Sequence, residues 1–349
     1  MKAIQLATLS LLAVVNQGCA LLNAATSGNL GNVAAEANRV AELGKNAQAY
    51  AENLCDPILK TEIAFDEERA IGGVVGVELI SKNGHLLLDG FSEKNPVKLN
   101  EALARKEAVT LPDDAKNDIT AYLSIVGRNL ARYSARPDLP WTFAVIQNEG
   151  VNAFSAPGGY VVLTTGLLKK ITNEAQLAGV LGHEIGHIVH KHSLIKYRDG
   201  KHKQCIAANY ASHFVAHGGP ASPATDAVAA YAKKFEGKVD LDKSEGGFIK
   251  FIMQAFINLQ QLGNEKAAEF ETDKTALELV VFAGYDPTEY EKFLGSLDGS
   301  GGGPLPAHPS LSDRVARLKA LREGELKDFA TGTSKPDTAK VFAPLAALK

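Results

Sequence analysis

The segment Gly182-His183-Glu184-Ile185-Gly186-His187 places two imidazoles four residues apart, with a carboxylate beside the first. On a helix such a pair projects from one face, one turn apart, and can share a metal ion. A Zn2+ held this way keeps an open position for water, and Glu184 is placed to take that water's proton. The chemistry is that of a zinc hydrolase. Because the chain has nine histidines, a chance match on a solvated helix face is the competing reading, and the surrounding elements have to decide.

A helix is well supported around the motif. Asn173 can cap its start, with Gln176 three residues on to reach back as in a capping box. Leu177, Val180, Leu181, Ile185, Ile188 and Val189 then recur with helical rather than alternating spacing, and no proline interrupts them. Gly182 and Gly186 each weaken a helix by about 1 kcal/mol relative to alanine, so they predict the close approach of another backbone, as a substrate cleft would require. His190 and His192 fall near the helix C-terminus, where a cation suits the dipole, and read as solvated.

Catalytic zinc usually has three protein ligands, so a second helix should supply another. The run Asn264-Glu265-Lys266-Ala267-Ala268-Glu269-Phe270-Glu271-Thr272-Asp273 begins such a helix, which continues through Leu277 and Val280 and stops at Gly284 before Asp286-Pro287. Glu269 and Asp273 lie one turn apart on one face: the first can bind zinc while the second accepts a hydrogen bond from a ligand histidine. Glu265 and Glu271 are competitors. Glu271 points elsewhere on the helix, and Glu265 has no acidic partner except Glu269. A solvated acidic helix face is the bland alternative.

Asn152-Ala153-Phe154 with Pro157-Gly158-Gly159, Asn173-Glu174-Ala175 ahead of the histidine motif, Glu269-x-x-x-Asp273, and Gly284-Tyr285-Asp286-Pro287 stand in a familiar order. From about residue 62 to about residue 320 the chain resembles a gluzincin family, that of the heat-shock protease HtpX, the CAAX prenyl endopeptidases and the soluble BepA-like periplasmic proteases. The resemblance implies one Zn2+ per chain with His183, His187 and Glu269 as ligands, Glu184 as general base and Asp273 as the carboxylate behind a ligand histidine. Thr272 stands where the family usually has a smaller residue. The implied fold is a mainly helical α+β zincin-like metallopeptidase, with a small edge-strand β-sheet lining the cleft.

Residues 141–146 and 160–165 are rich in aromatic and β-branched side chains and read as two strands joined in a hairpin. A peptidase of this kind would bind extended protein or peptide substrates along a sheet edge, with Asn152, Ala153 and Phe154 lining the cleft. His308-Pro309-Ser310 and Asp313-Arg314 resemble the family's His-Pro segment followed by an arginine, so His308 or Arg314 could stabilise an oxyanion near the metal. The glycines and prolines of residues 300–306 would let His308 act as a gate. The alternative is that Leu311, Val315 and Leu318 begin an ordinary amphipathic helix with Arg314 on its surface. Residues 248–259 carry an apolar stripe that reads as a packed helix face.

Lys2 precedes an apolar stretch over residues 3–15, too short for a bilayer span but right for a secretory signal over residues 1–19. Cys19 follows Gly18 where a bacterial lipoprotein is cleaved and acylated, although Asn16 and Gln17 are larger and more polar than such a site prefers. Cleavage after Ala20 is the alternative. Either route leaves Cys55 and Cys205 to form one disulfide in an oxidising compartment, or to remain as two buried thiols.

The expected organisation is a signal over 1–19, a spacer and helix over 20–61, the metallopeptidase domain over 62–322 and a tail over 323–349. A net charge of −3 and the lack of a basic run with interleaved aromatics give no reason to expect nucleic acid. The expectation is thus a zinc endopeptidase in the periplasm of a Gram-negative bacterium, touching the outer membrane only through a lipid anchor. It would cut unfolded or misassembled envelope proteins. The alternative is a holdase or assembly factor for outer-membrane proteins, working with the outer-membrane assembly machinery while its proteolysis is gated.

Overall fold

The computed structural model describes residues 30–86, 119–219, 221, 266–297 and 310–330. The signal, Cys19, Glu265, the 248–259 stripe, the 300–306 loop with His308 and the end of the tail lie outside the described residues. The chain divides into two compact units, residues 1–62 with 197–244, and residues 63–196 with 245–349.

The described elements in chain order are α1 (Leu30–Cys55), α2 (Pro57–Lys60), α3 (Phe65–Asn83), β1 (His85–Leu86), α4 (Ile119–Ala131), β2 (Thr142–Gln147), β3 (Ala153–Ala156), β4 (Tyr160–Thr164), α5 (Thr165–Lys170), α6 (Glu174–Val189), α7 (His192–Ala216), α8 (Lys266–Phe282), α9 (Thr288–Leu297), α10 (Leu311–Glu323) and α11 (Lys327–Ala330). The fold is a mainly helical α+β arrangement with one small mixed sheet.

In the smaller unit, α1 packs Val40 and Ala47 against Phe214 of α7, with the partly buried Leu43 and Tyr210 beside them. A disulfide between Cys55 and Cys205 adds a covalent tie, with the two Cα atoms 5.8 Å apart. The expected pairing is therefore present.

The larger unit carries the sheet, in the order β1-β2-β4-β3. The expected hairpin between residues 141–146 and 160–165 does not form, because β2 and β4 pair in parallel, from Thr142 opposite Tyr160 to Ile146 opposite Thr164. The reason lies between them. That connection contains β3, which folds back antiparallel on β4 through Pro157-Gly158-Gly159, where the two glycines take φ of 77° and 97°. Two reversals of direction restore the original one, and among the described residues β3 is the edge of the sheet.

Side chains alternate across this sheet as pleating requires. Phe143, Val145, Val161, Leu163 and Ala153 enter the main core with α4, α6, α8, α9 and α10. Ile146 and Val162, with the partly buried Phe154, lie on the opposite face against Ile80 of α3. Ala153 and Phe154 therefore face opposite sides of β3.

The β3–β4 turn is held from outside by α3. A Cβ on Gly72 would sit 1.7 Å from the carbonyl oxygen of Pro157, so only glycine permits the approach. Buried Glu68 accepts from the Gly158 N–H at 2.9 Å and from both terminal nitrogens of Arg136 at 2.9 and 2.7 Å. Its desolvation is offset by three charge-assisted bonds.

Candidate metal centre

The histidine motif sits on α6, whose start is fixed at both levels. Asn173 Oδ1 accepts from the Gln176 N–H at 3.0 Å, as a cap should. Gln176 reaches back one residue further than a capping box, accepting from the Thr172 N–H at 2.9 Å. The amides of Asn173 and Gln176 both donate to Glu289 of α9, at 2.7 and 3.1 Å, which ties the first turn of α6 to a second helix.

The glycines of α6 serve helix packing. A Cβ on Gly186 would lie 2.9 Å from Cγ2 of Thr272, and one on Gly182 would lie 3.2 Å from both Cα and O of Ala276, all on α8. A Cβ on Gly179 would fall 2.3 Å from the ring of Tyr290 on α9. The backbone against Gly182 and Gly186 is thus that of α8, the helix bearing the acidic residues, and not the open substrate cleft that the glycines led one to expect. Close approach brings the two helices' polar side chains within bonding range.

His183, His187 and Glu269 are buried, and their potential ligand atoms all lie within 4.8 Å of one another. His183 Nε2 is 3.2 Å from His187 Nε2 and 3.4 Å from Glu269 Oε2, and His187 Nε2 is 3.5 Å from Glu269 Oε1. Metal–ligand bonds of about 2.0–2.2 Å set tetrahedral ligand atoms roughly 3.3–3.6 Å apart. The spacing and the two-nitrogen, one-oxygen donor set fit Zn2+. Glu184 is also buried, at 3% exposure, beside His183 on the same helix.

Behind His183 is a closed polar cluster. Its Nδ1 lies 3.1 Å from Asp273 Oδ1, so in the neutral ring Nδ1–H donates there and leaves the Nε2 lone pair toward the other donors. Arg314 clamps the same carboxylate, Nε donating to Oδ2 at 2.9 Å and a terminal nitrogen to Oδ1 at 2.7 Å. That nitrogen also donates to the Tyr290 hydroxyl at 3.0 Å. Arg314 is 1% exposed, so the reading that put it on the surface of an amphipathic helix does not hold. Leu311 and Leu318 are buried with it.

Electrostatics follow from this packing. Burial alone would raise the Asp273 carboxyl, but hydrogen bonds from His183 and Arg314 overcome it and hold the pKa down at about 2. Burial and the Arg314 charge oppose a proton on His183, yet the carboxylates of Asp273 and Glu269 outweigh them and raise its pKa to about 9.

Two partners escaped the sequence reading. Tyr290 carries no motif and is found only through the packing of α9 on Gly179. His192 was expected to be solvated near a helix end, but it is 8% exposed, with Nδ1 3.0 Å from Nδ1 of His187. The helix ends at Val189, and Lys191 takes a left-handed φ of 55°, which turns the chain so that His192 begins α7 beside His187. No helical periodicity crosses such a turn.

Asn152 and Phe154 are partly buried and Ala153 is buried, on or beside the edge strand. Asn152 Oδ1 accepts from the Ala153 N–H at 3.0 Å. Glu271 is about half exposed.

Residues 118–322 match the model of peptidase family M48. A protein of Vibrio cholerae named putative beta-barrel assembly-enhancing protease is 26% identical over 219 residues, covering 60% of this chain and 40% of that one. The beta-barrel assembly-enhancing protease of Escherichia coli is 38% identical over 74 residues, 21% of this chain and 15% of its own length. The mitochondrial metalloendopeptidase OMA1 of Arabidopsis thaliana is 30% identical over 190 residues, 52% of this chain and 31% of its own. The chain thus spans well under half the length of each of these curated relatives.

Proposed function

This chain belongs to peptidase family M48, and on that premise we propose that it is a zinc-dependent endopeptidase with His183, His187 and Glu269 as metal ligands and Glu184 as general base. The mutual spacing of the three donor atoms, 3.2–3.5 Å, carries the reading. When bound, Zn2+ would acidify water and polarise a carbonyl oxygen. Glu184 takes a proton from the attacking water and passes it to the leaving amine. Asp273 keeps the proton of His183 on Nδ1, and Arg314 with Tyr290 keeps Asp273 ionised and still. Arg314 is on this account a positioning group, which leaves His308 as the candidate for the oxyanion or a gate.

The substrate is an extended protein segment, added as a strand along β3. That strand ends the sheet order, and backbone pairing there tolerates many sequences. Because the pleat turns Ala153 and Phe154 to opposite faces, the backbone of β3 does most of the recognition, with Asn152 beside it.

The names of the bacterial relatives join proteolysis to beta-barrel assembly, which supports unfolded or misassembled envelope proteins as substrates and the outer-membrane assembly machinery as a partner. The disulfide suits an oxidising compartment. With residues 1–19 as signal this points to the periplasm of a Gram-negative bacterium, with Cys19 as the lipid anchor to the outer membrane. Among the described residues no helix is long and apolar enough to cross a membrane.

Casein incubated with the purified full chain, with and without a chelator, tests the activity. Fragments that disappear with chelator are expected. Protection of casein without any fragments would replace the peptidase by a holdase.

A further inference from the structure

His187 and His192 make their closest polar contact through like atoms, Nδ1 to Nδ1 at 3.0 Å. One of the two must donate and the other accept. If His187 gives its Nε2 lone pair to a metal, as proposed above, its proton is on Nδ1, and His192 must then accept at Nδ1 and carry its own proton on Nε2. That nitrogen faces Glu271 Oε2 at 3.2 Å. Every tautomer in the series is then fixed by the one before it. Thr272 Oγ1 also lies near both Nδ1 atoms, but at 3.4 Å and with its hydroxyl donating to the Ala268 carbonyl at 2.8 Å, so His192 is the better acceptor.

We propose that His192 and Glu271 form a relay that positions His187, Glu271 holding His192 and His192 holding the proton of His187 on Nδ1. The two ligand histidines are thus oriented by two carboxylates of one helix. Asp273 shares a face with Glu269 and reaches His183 directly, at 3.1 Å. Glu271 is two residues from Glu269, roughly 200° around the helix, and its side chain is 56% exposed. It acts from the rim through an imidazole that fills the gap. A bare carboxylate at that angle would have no other way to touch a buried ligand. The left-handed Lys191 supplies the turn that delivers the imidazole.

Partners of this kind change metal affinity by about 10–100-fold when removed. His192→Phe keeps the ring's bulk without an acceptor, whereas His192→Asn offers an oxygen near the Nδ1 position. Zn2+ affinity measured by competition with a chromophoric chelator should fall about 10–100-fold in His192→Phe and recover in part in His192→Asn. The Co2+-substituted protein should show an altered ligand-field spectrum in the Phe variant. Equal affinity in wild type and His192→Phe, or an equal loss in Phe and Asn, would overturn the relay. In the unmutated Zn2+ protein, nitrogen-15 shifts should show His187 protonated on Nδ1 and His192 on Nε2, and a proton on Nδ1 of His192 would overturn it without any variant. Failure of the wild type to bind Zn2+ would instead remove the metal-site reading on which the relay rests.

Discussion

The buried guanidinium of Arg314 meets both carboxylate oxygens of Asp273, at 2.9 and 2.7 Å, with side-chain exposures of 1% for Arg314 and 0% for Asp273. A buried pair of this kind adds little net stability over an apolar replacement, but losing one partner strands the other charge. Its value lies in fixing the acceptor for His183.

Arg314→Ala should therefore cost about 3–5 kcal/mol of stability, since it leaves Asp273 buried and unpaired. Arg314→Lys should keep the charge but lose the two-point geometry. In thermal unfolding the lysine variant should melt between wild type and Ala, with Zn2+ affinity following the same order. A native-like melting temperature for Arg314→Ala would contradict the arrangement.

Glu184→Gln preserves shape and removes the proposed base. Cleavage of casein should drop by at least about 10²-fold, while zinc content by elemental analysis stays at one ion per chain. Because Glu184 is not among the three clustered donors, a variant that lost zinc would reassign it as a ligand.

Zinc binding should depend on pH through His183. With its pKa raised to about 9 in the metal-free protein, this side chain holds a proton at neutral pH that the metal must displace. Apparent Zn2+ affinity should rise as pH goes from about 7 to about 9 and flatten above, with about one proton released per ion at pH 7. Calorimetry in buffers of different ionisation enthalpy measures that number. For folding of the metal-free chain the sign is the reverse: a raised pKa stabilises fully below the unfolded value of 6.5, and that contribution is lost as pH rises through about 9.

Cys55 and Cys205 close a loop with a separation of 150 residues. Replacing both by serine should cost the smaller unit about 2–5 kcal/mol, toward the lower figure if the larger unit stays folded and shortens the loop in effect. Limited proteolysis should then cut α1 and the second half of α7 first. Protection equal to that of the oxidised wild type would mean that packing around Val40, Ala47 and Phe214 suffices.

Much of the centre could be read from local spacing. His183 and His187 are one helical turn apart by sequence, as are Glu269 and Asp273, and the caps and stops around them are local as well. The stretch after His187 could not be read this way. His192 looked like a solvated residue because the periodicity that placed His183 and His187 stops at Val189, and the left-handed Lys191 resets the direction of the chain. Arg314 could be read either as a group near the metal or as the surface of an amphipathic helix, because its burial depends on α10 packing over a carboxylate 41 residues away in sequence. The strands were recognised but wrongly joined, since the composition of β2 and β4 says nothing about a third strand that reverses the chain between them.

By itself the sequence determined which side chains could bind a metal, the two helices that carry them and the family they resemble, because helical geometry converts spacing directly into a shared face. Only the tertiary structure decided how those helices meet. Gly182 and Gly186 let α8 approach until three donor atoms from two helices stand 3.2–3.5 Å apart. The two histidines then meet partners from α7 and α8, and α9 and α10 close around Asp273 behind His183. Contacts between segments far apart in the chain are set by packing, and packing has no period along the sequence.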